Sequence, residues 1–507
     1  MKMIINSEVF ISNDRKVEST DDYVVDQPEY CYGLSGIVFN HNDLNNKEIP
    51  RYIIEGSIQR YYKGSYVVWF YDKKNQKVYI SNDLLSKQSV YYYAVDGLIL
   101  INTSLFDLCS DLRSSGRVPR INLEAVDYFC RENVFQGDMT YEANTFFLTA
   151  YSYLVIDCRN KTLEIKRLPI PKLKSSGDIT DNEALEVIEN LFSEACKLQW
   201  YKNEINKKDQ IMTISGGMDS RAVLLHLMSM QNFTKKIKVY TYAQTNSEDA
   251  MIANKLAEKN GLDSTFIPLD NCEFAFRRDD IIDANEGQMF YLGSTGAIMM
   301  AELCCKNLSP FIVHTGLGGG EVLGDMCVAN GDDVQDQYSG MTINQERNLN
   351  DIRRCLNFQK TTSKYFHAAS PFLDEDFFEF VMCLPASMRM HRKLYINWYK
   401  KSMNSDFPST SSHSLVMKAI NRIKIKTYKA IGCRNPSDMN PIEYWYEKNM
   451  QLRSYIDTTW EHDCMALAEH ENLLELLTDY FNRGVIQKFA VLTVTGSVLR
   501  ILGIDGK

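Results

Sequence analysis

A chain of 507 residues with 45% apolar content can bury more than one core, which excludes an intrinsically disordered polypeptide. Its 65 acidic side chains outnumber its 56 Lys and Arg, a formal charge of -9, so no general basic field is present and nucleic acid is excluded as an expected partner. The 13 cysteines, odd in number and without a CxxC pair, exclude a disulfide framework and a structural zinc site and fit reduced thiols in a cytoplasm.

Residues 1–10 mix short apolar pieces with Lys2, Asn6 and Glu8, too polar for a signal-peptide core, and no later run reads as membrane-spanning. The expectation is a cytoplasmic chain without a membrane span. Over 61–104, aromatic and β-branched runs alternate with Lys-Gly, Lys-Lys-Asn and Asp-Gly turns, which predicts a stack of antiparallel strands. Runs at 145–156 and 162–168 predict further strands. Pro169, Pro171 and the polar stretch KSSGDITDNE then punctuate the chain before a helix predicted to start near Asn182. A domain boundary is placed there, dividing 1–175 from 176–507.

Beyond it the pattern changes to strand 211–214, helix from Asp219, strand 238–242, helix 247–259 and strand 264–268. Strand-helix-strand order with apolar strands predicts a parallel sheet covered by helices. After Ser370 the signals are mostly helical, including 375–382 and 472–502. The expected fold class is α/β with an N-terminal α+β part.

The strand at 211–214 runs straight into Ser215-Gly216-Gly217-Met218-Asp219-Ser220, and a helical pattern follows at once. That puts the loop at the positive end of a helix dipole, where free backbone amides favour phosphate. Adjacent glycines let the main chain approach an anion, and the serine hydroxyls add donors. Asp219 supplies the carboxylate that Mg2+ shares with phosphates. The bland alternative is a plain strand-turn-helix junction. No Lys follows at Walker spacing, so this is not the loop of kinases and GTPases.

This string resembles the SGGxDS pyrophosphate loop shared by asparagine synthetases, β-lactam synthetases and lasso-peptide cyclases. Tyr240-Thr241-Tyr242-Ala243 with Asp249-Ala250, Ala253 and Leu256-Ala257 is similar to the family's second strand and the helix behind it. The run from His314 through Gly316, Leu317 and Gly320 to Gly324 resembles its second nucleotide loop, and Ser370-Pro371-Phe372-Leu373-Asp374 its Pro-Phe-Leu-Asp segment. The matches keep family order over about 180–430. Met439-Asn440-Pro441 with Trp445, and 487–499, are similar to asparagine-synthase-like proteins of bacterial surface-polysaccharide clusters.

The resemblance implies a degenerate Ntn-glutaminase-like antiparallel β-sandwich domain, then a PP-loop ATP-pyrophosphatase domain with a mostly helical C-terminal part. It implies ATP and Mg2+ as cofactors: a carboxylate, small or carbohydrate-linked, is adenylated with release of pyrophosphate and passed to ammonia or a substrate amine. Ser215, Gly216, Gly217, Asp219 and Ser220 would hold pyrophosphate and Mg2+, and Thr213, Tyr242, Thr315 and Gly316 the adenosine. Asp374 matches an acidic position beside the acyl acceptor, or else caps the helix after it. Lys418 and Lys424 are candidates for the family's charge-stabilising lysine, or else belong to a solvated basic face.

The chain departs from the family at residue 2, a lysine where the nucleophilic cysteine is expected, and in lacking the Asn-Gly-Glu glutamine loop. No glutaminase activity is expected. Leu317 stands where asparagine synthetases carry a catalytic Glu, and Gly320 where they carry a metal-binding Asp. Glu321 is the candidate replacement ligand and catalytic acid, or else an ordinary acid at a helix start. The alternative to a ligase is a catalytically degenerate ATP-binding scaffold or regulatory protein. Oligomeric state is open, a homodimer being one option.

Overall fold

The computed structural model describes residues 1–5, 9–12, 22–40, 48–174, 177–230, 237–294, 296–308, 312–324, 327–332, 335–336, 340–403 and 438–504. The first half holds eleven strands: β1 (Lys2–Ile5), β2 (Val9–Ser12), β3 (Tyr23–Asp26), β4 (Tyr30–Val38), β5 (Gly64–Asp72), β6 (Lys77–Asn82), β7 (Tyr91–Val95), β8 (Leu98–Asn102), β9 (Thr145–Phe147), β10 (Ser152–Asp157) and β11 (Thr162–Arg167). They form two antiparallel sheets, ordered β2-β1-β8-β7-β9 and β11-β10-β6-β5-β4-β3. Residues two apart face the same way, so Met3 and Ile5, Val67 and Trp69, Val78 and Ile80, and Ile99 and Ile101 meet in one core.

The strand expected over 145–156 is two strands. β9 pairs with β7 in one sheet, and β10 pairs with β6 in the other; the turn between them, with Tyr151 at φ 58°, carries the chain from sheet to sheet.

The helix Asp181–Ile205 begins one residue before its expected start. Thr180 and Glu183 form a reciprocal capping box that satisfies the first free amides. It leads into β12 (Ile211–Thr213), β13 (Lys238–Ala243), β14 (Asp263–Pro268), β15 (Ile312–His314) and β16 (His367–Ala369). All are paired in parallel, in the order β14-β13-β12-β15-β16. The sheet therefore starts in the middle at β12, grows outward to β14, then crosses back to β15 on the other side. The order reverses between β12 and β15, and a doubly wound sheet opens a crevice beyond the strand ends at such a switch point.

The final apolar stretch is a correction to the expected absence of any spanning-length run. Val485–Leu502 is, among the described residues, the one helix long and apolar enough to cross a membrane, and 67% of it is buried inside the protein. It packs against helices Leu105–Ser114, Leu123–Glu132, Arg278–Asn285, Met450–Ala466 and Glu471–Phe481. Neighbours on every side explain an apolar surface all round. Its hydroxyls are satisfied locally: Thr493 donates to the Phe489 carbonyl and accepts from Tyr291 N, and Ser497 donates to the Thr493 carbonyl. The helical stretch expected over 472–502 is broken at 482–484 into two helices. Helical packing also crosses the 175/176 boundary, since one apolar cluster joins Leu108, Val126 and Phe129 to Leu477, Leu492 and Val498.

Candidate nucleotide site

Strand β12 ends at Thr213, and the helix Met218–Ser229 begins five residues later with Gly217 as its N-cap. The loop between them is tied to itself. Ser215 N donates to the Ser220 hydroxyl at 3.1 Å, Gly217 N to the Ser215 hydroxyl at 3.1 Å, and the two hydroxyls lie 3.2 Å apart. A second helix anchors it: Gly216 N donates to Asp249 Oδ1 at 3.0 Å. Asp249 sits in the first turn of Glu248–Lys259, whose N-cap is Ser247.

The second loop comes from β15. Thr315 N donates to the Ala369 carbonyl at 2.8 Å, and the Ser370 hydroxyl holds the Leu317 carbonyl at 2.6 Å. The two loops touch backbone to backbone. A Cβ on Gly316 would lie 2.3 Å from Ser220 N, and one on Gly319 would lie 2.6 Å from Asp219 Cγ. Glycine is required at both places because no methyl group fits between the loops.

Between the loops lies a cavity of about 330 Å3, at the carboxyl ends of β12 and β15 and thus at the switch point. Thr213, Ser215, Gly217, Asp219 and Ser220 line it from the first loop, Tyr242 from β13, and Thr315, Gly316 and Glu321 from the second. Sequence reasoning had assigned all nine to one site. Gly216, assigned with them, does not line the cavity; its amide is committed to Asp249.

Asp374 is also not among the lining residues. Its carboxylate caps the helix Glu375–Met382, accepting from Asp376 N at 3.1 Å and Phe377 N at 3.3 Å, and Lys63 of the N-terminal half stands 3.5 Å away. The geometry is that of the helix-cap alternative, used at a junction between the two halves. Lys418 and Lys424 lie outside the described residues.

Among the described lining residues, Asp219 and Glu321 are the only charged side chains. Asp219 receives the Tyr395 hydroxyl and, at 3.4 Å, Gly320 N. Burial lifts its carboxyl to about 6; Tyr395 pulls it down, and the nearby Glu321 carboxylate raises it further. Arg392 also pulls the Asp219 carboxyl down, and two carboxylates lining one cavity favour a cation. No cluster of three or more His, Cys, Asp or Glu suited to a metal occurs among the described residues. Two carboxylates do fit Mg2+, which completes its octahedron with phosphate oxygens and water.

Tyr395 escaped sequence reasoning. It lies on the Lys393–Met403 helix, fully buried against Trp398 and Phe372, and no motif surrounds it. Gln359, Thr362 and Phe366, which close the cavity from the end of the Ile343–Lys360 helix, were missed for the same reason.

These features define an α/β sheet protein with a loop-lined ligand cavity at its switch point. No family model matches the chain, and no curated protein matches it.

Proposed function

We propose that the chain is an ATP-dependent ligase of the asparagine-synthetase type, which adenylates a carboxylate and transfers the acyl group to ammonia or an amine. The observation that carries this reading is the convergence of 213–220, Tyr242 and 315–321, distant in sequence, on one cavity at the switch point. In this reading a carboxylate oxygen attacks the α-phosphorus of ATP and the bond to pyrophosphate breaks. The amine nitrogen then attacks the acyl carbon, AMP leaves, and the nitrogen gives up its proton.

The chain's own part is positioning and charge. Amides at the start of Met218–Ser229 and the Ser215 and Ser220 hydroxyls hold the leaving phosphates. Asp219 and Glu321 would be the ligands of Mg2+, which when bound neutralises the leaving charge. The apolar side of the cavity, with Met300, Val313 and Phe366, suits a base ring and keeps water from the adenylate. The antiparallel N-terminal half is read as a glutaminase-like domain that has lost its activity, so ammonia or a free amine serves where glutamine does not.

Calorimetry with Mg-ATP tests the reading. Wild type should bind and Asp219→Ala should lose most of that affinity; equal Mg-dependent affinity in both would remove it. A second reading, an ATP-binding scaffold without turnover, is favoured by one observation: Leu317, an aliphatic residue, lines the cavity where the family carries an acid. Pyrophosphate release during a screen of carboxylate and amine pools separates the two.

A further inference from the structure

A second cavity, of about 310 Å3, lies between the two halves of the chain. The N-terminal half contributes Leu85 and Phe147, and the Ile343–Lys360 helix contributes Leu349, Arg353, Leu356 and Lys360. Its lining is mixed, with an apolar part formed by these leucines and Phe147 beside polar residues, four cations and two acids.

Arg353 is the anomaly. Only 7% of it is exposed, and its guanidinium stacks 4.3 Å over the Phe147 ring. Of the five N–H donors of a guanidinium, one goes to the Gly137 carbonyl and one, at 3.3 Å, to the Met139 carbonyl. Nε has no partner. Both acceptors are neutral, and burial outweighs the pull of Tyr91 and Asp138, taking the pKa down to about 10. The neighbouring cations are differently placed. Lys360 pairs with Glu286, and Lys87 pairs with Glu375 at 2.6 Å. At the rim, Arg167 stands with Asp138 and Glu346, all exposed, where solvent screens them.

Burying a guanidinium whose one acidic influence is the exposed Asp138, outside ion-pair distance, is costly. Two carbonyl contacts offset only part of that. We infer that this cavity is a binding site for a small organic monocarboxylate, whose carboxylate meets the Arg353 guanidinium and whose apolar body lies against Leu85, Leu349 and Leu356. A single guanidinium with an exposed acid already near it calls for no more than one further negative charge. A phosphomonoester, at roughly -1.5 to -2 near neutrality, would leave an excess among apolar walls, and the planar guanidinium fork matches a carboxylate. The volume is at the small end of ligand pockets, enough for a body of amino-acid or aryl size. The site is separate from the nucleotide cavity, and the inference does not depend on ATP binding there.

Saturation-transfer NMR on the full chain, with butyrate, benzoate and N-acetylglycine as probes and inorganic phosphate titrated in a parallel arm, tests it. At least one carboxylate should bind with a Kd in the millimolar range or tighter and raise Tm. Arg353→Met should weaken that binding tenfold or more and leave Tm equal or higher, because it removes a buried charge that has no carboxylate at ion-pair distance. Arg353→Lys should bind at an intermediate level, keeping the charge but losing the fork. Leu349→Trp, which fills the cavity without touching the charge, should abolish binding and covers the case in which Arg353→Met does not fold. Failure of all three carboxylates to bind wild type would overturn the inference, as would phosphate binding more tightly than any of them. So would carboxylate binding that survives Leu349→Trp, which would place it elsewhere. A fall in Tm for Arg353→Met without loss of binding would make Arg353 a clamp between the halves and nothing more.

Discussion

Asp219→Asn should remove a pH dependence that the buried carboxyl imposes on the nucleotide-free protein. Burial lifts this group from 3.8 to about 6, so the folded state holds the proton more tightly than the unfolded chain does. For a group raised in this direction, its contribution to stability is fully present below the unfolded pKa and is lost as pH rises through the folded one. A shift of roughly 2 units at about 1.4 kcal/mol per unit means that ionised Asp219 costs the fold about 3 kcal/mol at pH 7. About 2 kcal/mol of that accumulates between pH 4 and pH 7. Asparagine has the same shape, can accept the Tyr395 hydroxyl, and does not ionise. The assay is urea unfolding of both proteins, free of Mg2+ and nucleotide, at four pH values from 4 to 7. The stability of the variant minus that of wild type should grow by about 2 kcal/mol over this range, whatever constant offset the altered Gly320 N contact adds. A difference that stays flat would refute the reasoning, because the Asp219 carboxyl would then titrate as an ordinary one.

Tyr395→Phe removes the hydroxyl that holds the Asp219 carboxylate and should weaken Mg-ATP binding about tenfold, in line with about 1.5–3 kcal/mol for a hydrogen bond to a charge; calorimetry reads it, and unchanged affinity would take Tyr395 out of the site. Gly316→Ala drives a methyl group onto Ser220 N and should cost about 1–3 kcal/mol of stability together with ATP binding, measured by urea unfolding and calorimetry on the same sample. Glu321→Gln should lower pyrophosphate release at least tenfold while changing ATP affinity little, as expected of a contact that matters most in the transition state; equal turnover would end its role as replacement ligand. Incubation with glutamine should release no glutamate above a heat-killed control, and release that persists in Cys31→Ala would mean that the N-terminal half has been misread.

Much of this architecture is local and therefore legible in the chain. Aromatic and β-branched runs separated by short turn sequences over β5 to β8 pointed to antiparallel strands, because such brief connections can join only antiparallel neighbours. The polar stretch before Asn182 and the run from Ser247 marked two helix starts, where Thr180 and Ser247 supply acceptors for the free amides. The loop 215–220 was legible as a strand-to-helix junction from its two glycines and two serines, and nine of the ten residues assigned to the nucleotide end of the site line one cavity.

What the sequence could not decide depended on contacts between distant segments. Asp374 could equally be a site acid or a cap until its two amide donors and Lys63 were seen around it. The apolar run at 485–502 has no local property that separates a core helix from a membrane span; the helices packed around it make the difference. Tyr395 reaches Asp219 across 176 residues, and Arg353 is buried against the Gly137 and Met139 carbonyls only where the two halves meet. Strand period, caps and loop chemistry act between near neighbours and can be read along the chain. Burial, charge balance and the meeting of helix ends are properties of the closed fold, because the partners that set them come from other segments.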